Sequence, residues 1–382
     1  MNVEGIFGFE PIRFTNIEYI GFFGFDRLAI DYFLSKVITQ NILYSAYHSP
    51  KSITEIADLL GVKSCFIKDE ILFLEDNGFM DKVSKDKYLT NILIHDFPKD
   101  IREKRHTIFS KYAKIVCDTY IPHIIKDCKS WTNDKIYTPQ NDFNFFLWSI
   151  ITLALKKKTE ILDLSEHLEK YYVKRNDGGE YLVFTSIKKD ETKDYTESVF
   201  HTFGEQNISF VPKEKYPVDV WQFNSNYDLR EKNWNKTIQY SLIHLYDYIA
   251  GRLTSDSIDI DKFSELYQNK LLIKENSHKN EHVNLIITTL DYEELYDLLP
   301  DKPEDFIRLN NELSEELYKI SKDYYPSHIK SLSKVYHKKS LNSDDIITRV
   351  LEHLLKSNIL KPLTDNQKMT VNTIMFCDKL PQ

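Results

Sequence analysis

The chain has 382 residues, of which 42% are hydrophobic, 13% aromatic and 28% charged, with a formal net charge of -8. That length predicts more than one domain, and the composition excludes a disordered or fibrous chain. Acidity on this scale argues against a surface coated in nucleic acid, although a basic face can sit on an acidic body.

No apolar run approaches the roughly 18–20 residues that cross a bilayer; the longest, over 143–155, is interrupted by Asn144, Ser149 and Thr152. The first residues meet Glu4, Glu10 and Arg13 and show no signal-peptide pattern, which predicts a cytoplasmic protein with no membrane partner. Cys65, Cys117, Cys128 and Cys377 are far apart and form no CxxC pair, the pattern of reduced thiols rather than of a disulfide framework or zinc site.

In chain order, glycine spacing in the first 25 residues favours an extended arm with a strand over 17–23. Apolar residues at three- and four-residue intervals then predict a helix over 27–47, stopped by Ser49-Pro50. A short helix follows over 53–60, with Ser52 or Thr54 as cap, Glu55 in its first turn and Gly61 at its end. After a turn plugged by Val62, another helix runs from 64 to about 77, with Phe66, Ile67, Ile71 and Leu74 on its inner stripe. Asn77-Gly78 closes it, and residues 79–83 and 88–90 form two short strands around Ser84-Lys85-Asp86-Lys87.

Support helix, short helix, turn, third helix and two-stranded wing occur here in the order a winged helix requires. The stretch 28–92 resembles the winged-helix domains of MarR-like and ArsR-like transcriptional regulators. That resemblance implies that the third helix, 63–77, enters the major groove through Lys63, Ser64 and Lys68, and that Lys82, Lys85 and Lys87 on the wing hold phosphates. Charge cuts both ways: the third helix is net -2 because Asp69, Glu70, Glu75 and Asp76 gather toward its far end, while 97–114 is net +4. Winged helices also serve as dimerisation and protein-docking modules, so a second copy of the chain or another protein is the alternative partner to double-stranded DNA.

Residues 97–126 predict a long helix that Pro122 bends or splits, and 143–157 an apolar helix. Strands over 171–173 and 181–187 flank the turn Asn176-Asp177-Gly178-Gly179, and further strands over 218–223 and 283–290 complete a small sheet beside a helix over 237–253. Helices follow over 303–324, 327–338 and 343–357, then candidate strands over 359–363 and 369–376.

Shifting the first module by 280 positions lays Ile67, Ile71, Leu74, Phe79 and Met80 on Ile347, Leu351, Leu354, Ile359 and Leu360. Two readings stay open: a second winged helix whose basic helix presents Lys330, Lys334, Lys338 and Lys339 to phosphates, or an ordinary amphipathic helix with a hairpin. The expected fold class is therefore α+β and predominantly helical. Its divisions are an N-terminal arm and winged helix over 1–95, a helical linker and central α+β domain over 96–300, and a helical C-terminal domain over 301–382.

Nothing in the sequence calls for catalysis, a cofactor or a metal. His278 and His282 lack the HExxH order, and Asp256, Asp259 and Asp261 lack the glycine and distant glutamate of a calcium loop. GxGxxG, GxxxxGK[ST] and GxSxG do not occur, and no glycine-rich strand-turn-helix follows the winged helix as a methyltransferase would need. Phe143, Phe145, Phe146 and Trp148 fit core packing better than a ligand pocket. The sequence thus points to a non-enzymatic, DNA-binding transcriptional regulator.

Overall fold

The computed structural model describes residues 10–22, 33–131, 134–157, 169–174, 178–187, 205–207, 215–222, 234–253, 260–274, 281–338, 340–371 and 373–381. The architecture is mixed α+β, with helices predominating over small, mostly antiparallel sheets. In place of three consecutive domains the chain forms two compact units, each assembled from three stretches. One comprises Met1–Phe109, Glu160–Glu197 and Ile307–Leu341, the other Ser110–Thr159, Ser198–Phe306 and Asn342–Gln382.

In the first unit, strand β1 (Phe14–Phe22) runs antiparallel to Glu180–Ile187, which on its other edge runs parallel to a strand over Leu93–His95 and also pairs with Val173–Lys174. The turn residues Asn176 and Asp177 lie outside the described residues. Helix α1 (Val37–Ser45) is stitched to the arm before β1 by buried amides: Gln40 accepts from the Phe14 N–H at 2.9 Å, and Asn41 accepts from the Ile12 N–H at 2.8 Å. The helix expected over 27–47 is not continuous, since Ser35 and Lys36 are non-helical; residues 27–32 lie outside the described residues.

Strand β2 (Lys51–Ser52), helix α2 (Ile53–Leu60), helix α3 (Ser64–Asp76), strand β3 (Met80–Lys82) and strand β4 (Lys87–Thr90) follow in quick succession. The three strands form one antiparallel sheet in the order β2-β4-β3. Ile42, Leu43, Ile56, Ala57, Ile67, Ile71, Leu74, Phe79 and Met80 share one buried core with Leu182 and Phe184, and with Tyr325, Ile329 and Leu332 from the last stretch of the unit. Apolar burial of this kind, about 25 cal/mol per Å² removed from water, is what holds three distant pieces of sequence together.

The second unit is built on a five-stranded sheet in the order Ile136–Tyr137, Ile286–Thr288, Thr373–Cys377, Val218–Gln222, Glu205–Asn207. The single strand expected over 283–290 is broken into Glu281–Val283, which pairs with Leu272–Lys274, and Ile286–Thr288, which joins the large sheet. Helix Phe143–Lys156 is buried over most of its length, and the Trp148 indole N–H donates to the Lys361 carbonyl at 2.9 Å, so Phe145, Phe146 and Trp148 are core while Phe143 is exposed. The long helix expected over 97–126 is split at Tyr120 into Lys99–Thr119 and Ile121–Ser130, with Pro122 in the first turn of the second piece. Proline is accepted there because the N–H it lacks would have had no intrahelical partner.

A second winged helix over 327–376 is not formed. Helix Lys330–His337 belongs to the first unit and helix Asp344–Lys356 to the second. Residues 359–363 form no strand: Asn358 turns the chain with φ 58, and Thr364 with Gln367 makes a capping box that starts a one-turn helix, Asp365–Lys368. Thr373–Cys377 pairs instead with Val218–Gln222 and Ile286–Thr288. The repeated apolar skeleton recorded helix periodicity alone, and strand partners 151 to 159 residues away in sequence decided the rest.

Candidate nucleic-acid interface

Local chemistry sets the path of the chain around α3. Ser52 accepts from the Glu55 N–H at 3.2 Å while Glu55 accepts from the Ser52 N–H at 2.6 Å, a reciprocal box that fixes the start of α2. Gly61 ends that helix in the left-handed region with φ 67, and the Val62 N–H donates to the Ala57 carbonyl at 3.0 Å. Three residues later α3 begins, held by Ile67, Ile71 and Leu74, each at most 1% exposed.

The opposite face of α3 is open. Lys63, Cys65, Phe66, Lys68 and Asp69 are exposed and Ser64 is half-buried, so the leading turn is not covered by other described parts of the first unit. Phe66 differs from its expected inward position: it is 77% exposed. It precedes Ile67 by one residue, about 100° round the helix, and only the i, i+4, i+7 set of Ile67, Ile71 and Leu74 meets the core.

Lys63 and Lys68 make no hydrogen bond or ion pair with the described residues, whereas Glu70 is engaged by Lys36 at 3.4 Å and by the Thr39 hydroxyl. One of the four acids that make α3 net negative is thereby answered from α1. Asp69 and Asp76 stay exposed on the same helix.

The hairpin of β3 and β4 carries the other three expected lysines, and they differ in availability. Lys85 lies exposed at the tip without a partner among the described residues. Lys82 sits over the Tyr88 ring at 5.7 Å, and Lys87 pairs with Glu55 at 3.4 Å. Both remain on the surface, and an exposed pair of this type is worth at most about 1 kcal/mol, so a phosphate can displace it.

The other basic stretches also hold lysines in exposed pairs with neighbouring acids. On Lys99–Thr119, Lys104 pairs with Asp100, Lys114 pairs with Asp118, and Arg102 donates to the Phe97 carbonyl. Arg105 is buried, 9% exposed. On Lys330–His337, Lys330 faces Asp323 at 3.7 Å and Lys334 faces Glu315 at 3.9 Å, acids supplied by the preceding segment; Lys338 caps the helix and Lys339 lies outside the described residues.

Tyr325, His328 and Ile329 bring the last stretch of the unit against this module, with His328 Nε2 3.0 Å from the Thr90 carbonyl at the end of β4. Burial pushes the His328 imidazole below its ordinary range.

Cys65 is exposed, while Cys117, Cys128 and Cys377 are buried thiols, the first two pushed up to about 12 and the third to about 11, chiefly by burial. Among the described residues no group of three or more His, Cys, Asp or Glu could hold a metal ion, and no helix is long and apolar enough to cross a membrane. His278, Asp256 and Asp259 lie outside the described residues. Comparison of the chain with protein-family models, with curated proteins and with solved structures finds no match.

Proposed function

We propose that residues 28–92 form a winged helix-turn-helix and that the chain is a non-enzymatic, cytoplasmic transcriptional regulator that binds double-stranded DNA. The observation that carries this reading is the two-sidedness of α3. Its inner stripe is sealed into the core, while Lys63, Phe66 and Lys68 at its leading end face outward beside a basic hairpin. In this reading α3 lies in the major groove, and Lys85, Lys82 and Lys87 hold the phosphate backbone.

The test is fluorescence anisotropy with duplex DNA over a salt series. Each lysine that neutralises a phosphate contributes about -0.9 to the slope of log K against log salt, so K63A/K68A/K85A should flatten the slope by about 2 to 3. Equal affinity and equal slope for the triple variant and the parent would refute DNA contact by this surface.

A second reading is favoured by Phe66, since a large apolar side chain that is 77% exposed on a presented helix also suits a protein partner, including a second copy of this chain. Under that reading F66S changes the sedimentation coefficient at micromolar concentration and leaves DNA binding unaltered.

A further inference from the structure

In the second unit, helix Ile121–Ser130 turns Ile121, Ile124 and Cys128 into the core. The neighbouring stripe of the same helix, Pro122, Ile125, Lys126 and Lys129, has the i, i+3, i+4, i+7 spacing of one helix face and lines an open groove of about 670 Å³. Cys117 from helix Lys99–Thr119, Ile121 and Ile359 complete its apolar wall. The Cys117 thiol donates to the Val350 carbonyl at 3.8 Å, and burial pushes it up to about 12, so it stays neutral and acts as part of that wall.

This apolar surface is held open to water. Ile359 is 45% exposed although its backbone is fixed: Asn358 turns the chain with φ 58, and the Ile359 N–H donates to the Leu354 carbonyl at 3.0 Å. Polarity changes along the stripe, with Pro122 and Ile125 toward its start and Lys126 and Lys129 toward its end. Both lysines are exposed, and neither has a hydrogen bond or ion pair among the described residues. Asp127, the one acid on this helix, does not line the groove, and the Ser130 hydroxyl is spent on the Asp127 carbonyl at 2.6 Å. An apolar bed that ends in two unanswered positive charges suits a ligand with an apolar body and one anionic end.

Size separates a small ligand from a protein partner. From Pro122 to Lys129 the helix rises about 10 Å at 1.5 Å per residue, and the groove falls in the range of about 300–1,000 Å³ that holds small molecules. A stable protein interface needs about 800 Å² from each partner, more than two helical turns and one isoleucine present. We propose that this groove binds a single-chain carboxylate amphiphile of the medium-chain fatty-acid type. Its tail lies against Ile121, Pro122, Ile125 and Ile359, and its carboxylate pairs with Lys126 and Lys129. The site lies wholly in the second unit and does not depend on the DNA reading.

The experiment is equilibrium dialysis of the full chain against octanoate, decanoate and dodecanoate below their micellar concentrations, with decan-1-ol as the uncharged control. One saturable site is expected, tightening about fourfold for each methylene buried. Decanoate should be preferred to decanol by about two- to fivefold for each lysine. K126A/K129A alters exposed residues only; it should abolish that preference and leave decanol binding as it was. Ile359→Ser, also at an exposed position, should weaken both ligands alike. Absence of saturable binding, equal affinity for decanoate and decanol in the parent, or a preference that survives in K126A/K129A overturns the proposal. Saturable binding that Ile359→Ser leaves unchanged places the amphiphile elsewhere and overturns it too. Should Ile359→Ser fail to fold, the chain-length series and the lysine variant decide by themselves.

Discussion

Gly78 follows α3 with φ 76, and a Cβ there would run into the Val173 side chain on the neighbouring sheet. Both the backbone angle and the space exclude a larger residue, so Gly78→Ala should lower stability by about 1–3 kcal/mol, read as a lower urea midpoint with an unchanged m-value. His95 and His337 contribute to the acid limb of the stability profile. Burial, reinforced by Arg105, pushes His95 down to about 3 and holds His337 well below the ordinary range. Below about pH 6.5 the unfolded chain therefore binds protons that the folded chain refuses. The stability these two groups contribute is fully present above that pH and is lost as pH falls below it, by about 1.4 kcal/mol per pH unit for each histidine that stays neutral in the fold. Replacing His337 with Gln should remove one proton's worth of that slope, as measured by denaturant unfolding at a series of pH values; an unchanged slope would mean that His337 protonates freely in the fold. None of this cluster was legible in the sequence. His95 and Tyr325 are 230 positions apart, and Arg105 read as one more cation on a basic helix.

At the scale of elements, α2 and α3 were legible because their signals are short-range. Ser52 with Glu55, Gly61 after Leu60, and the spacing of Ile67, Ile71 and Leu74 each act within one or two turns. What failed was the rotation of one residue, Phe66, and this gives a sharp test. Ile71→Ala should cost about 2–5 kcal/mol because it empties a sealed core position. Phe66→Ala should stay within about 0.5 kcal/mol, as surface substitutions do. Comparable losses at both positions in chemical denaturation would contradict the orientation of α3. Strand expectations fared less well toward the C-terminus. Residues 359–363 have strand-like composition, but a strand needs an edge to join, and Thr364 with Gln367 turns the chain into a helical turn first. The residue types at 359–363 are compatible with both outcomes, so composition could not separate them.

At the scale of the molecule, three consecutive domains were expected, and two interleaved units are found, because pairing partners are chosen in space and leave no trace in local pattern. Glu180–Ile187 sits between β1 and Leu93–His95, and Tyr325, Ile329 and Leu332 share the core of α1, α2 and α3. A fragment ending at residue 95 would lack both and should be largely unfolded, with poorly dispersed amide resonances; a cooperative melting transition from that fragment would show that the module stands alone. The same dependence bears on how the protein is made. Since residues 325–332 complete the core beneath the presented helix, a ribosome must deliver most of the polypeptide before the N-terminal module can settle. Prematurely terminated products should then be cleared by proteases rather than persist as partly folded chains.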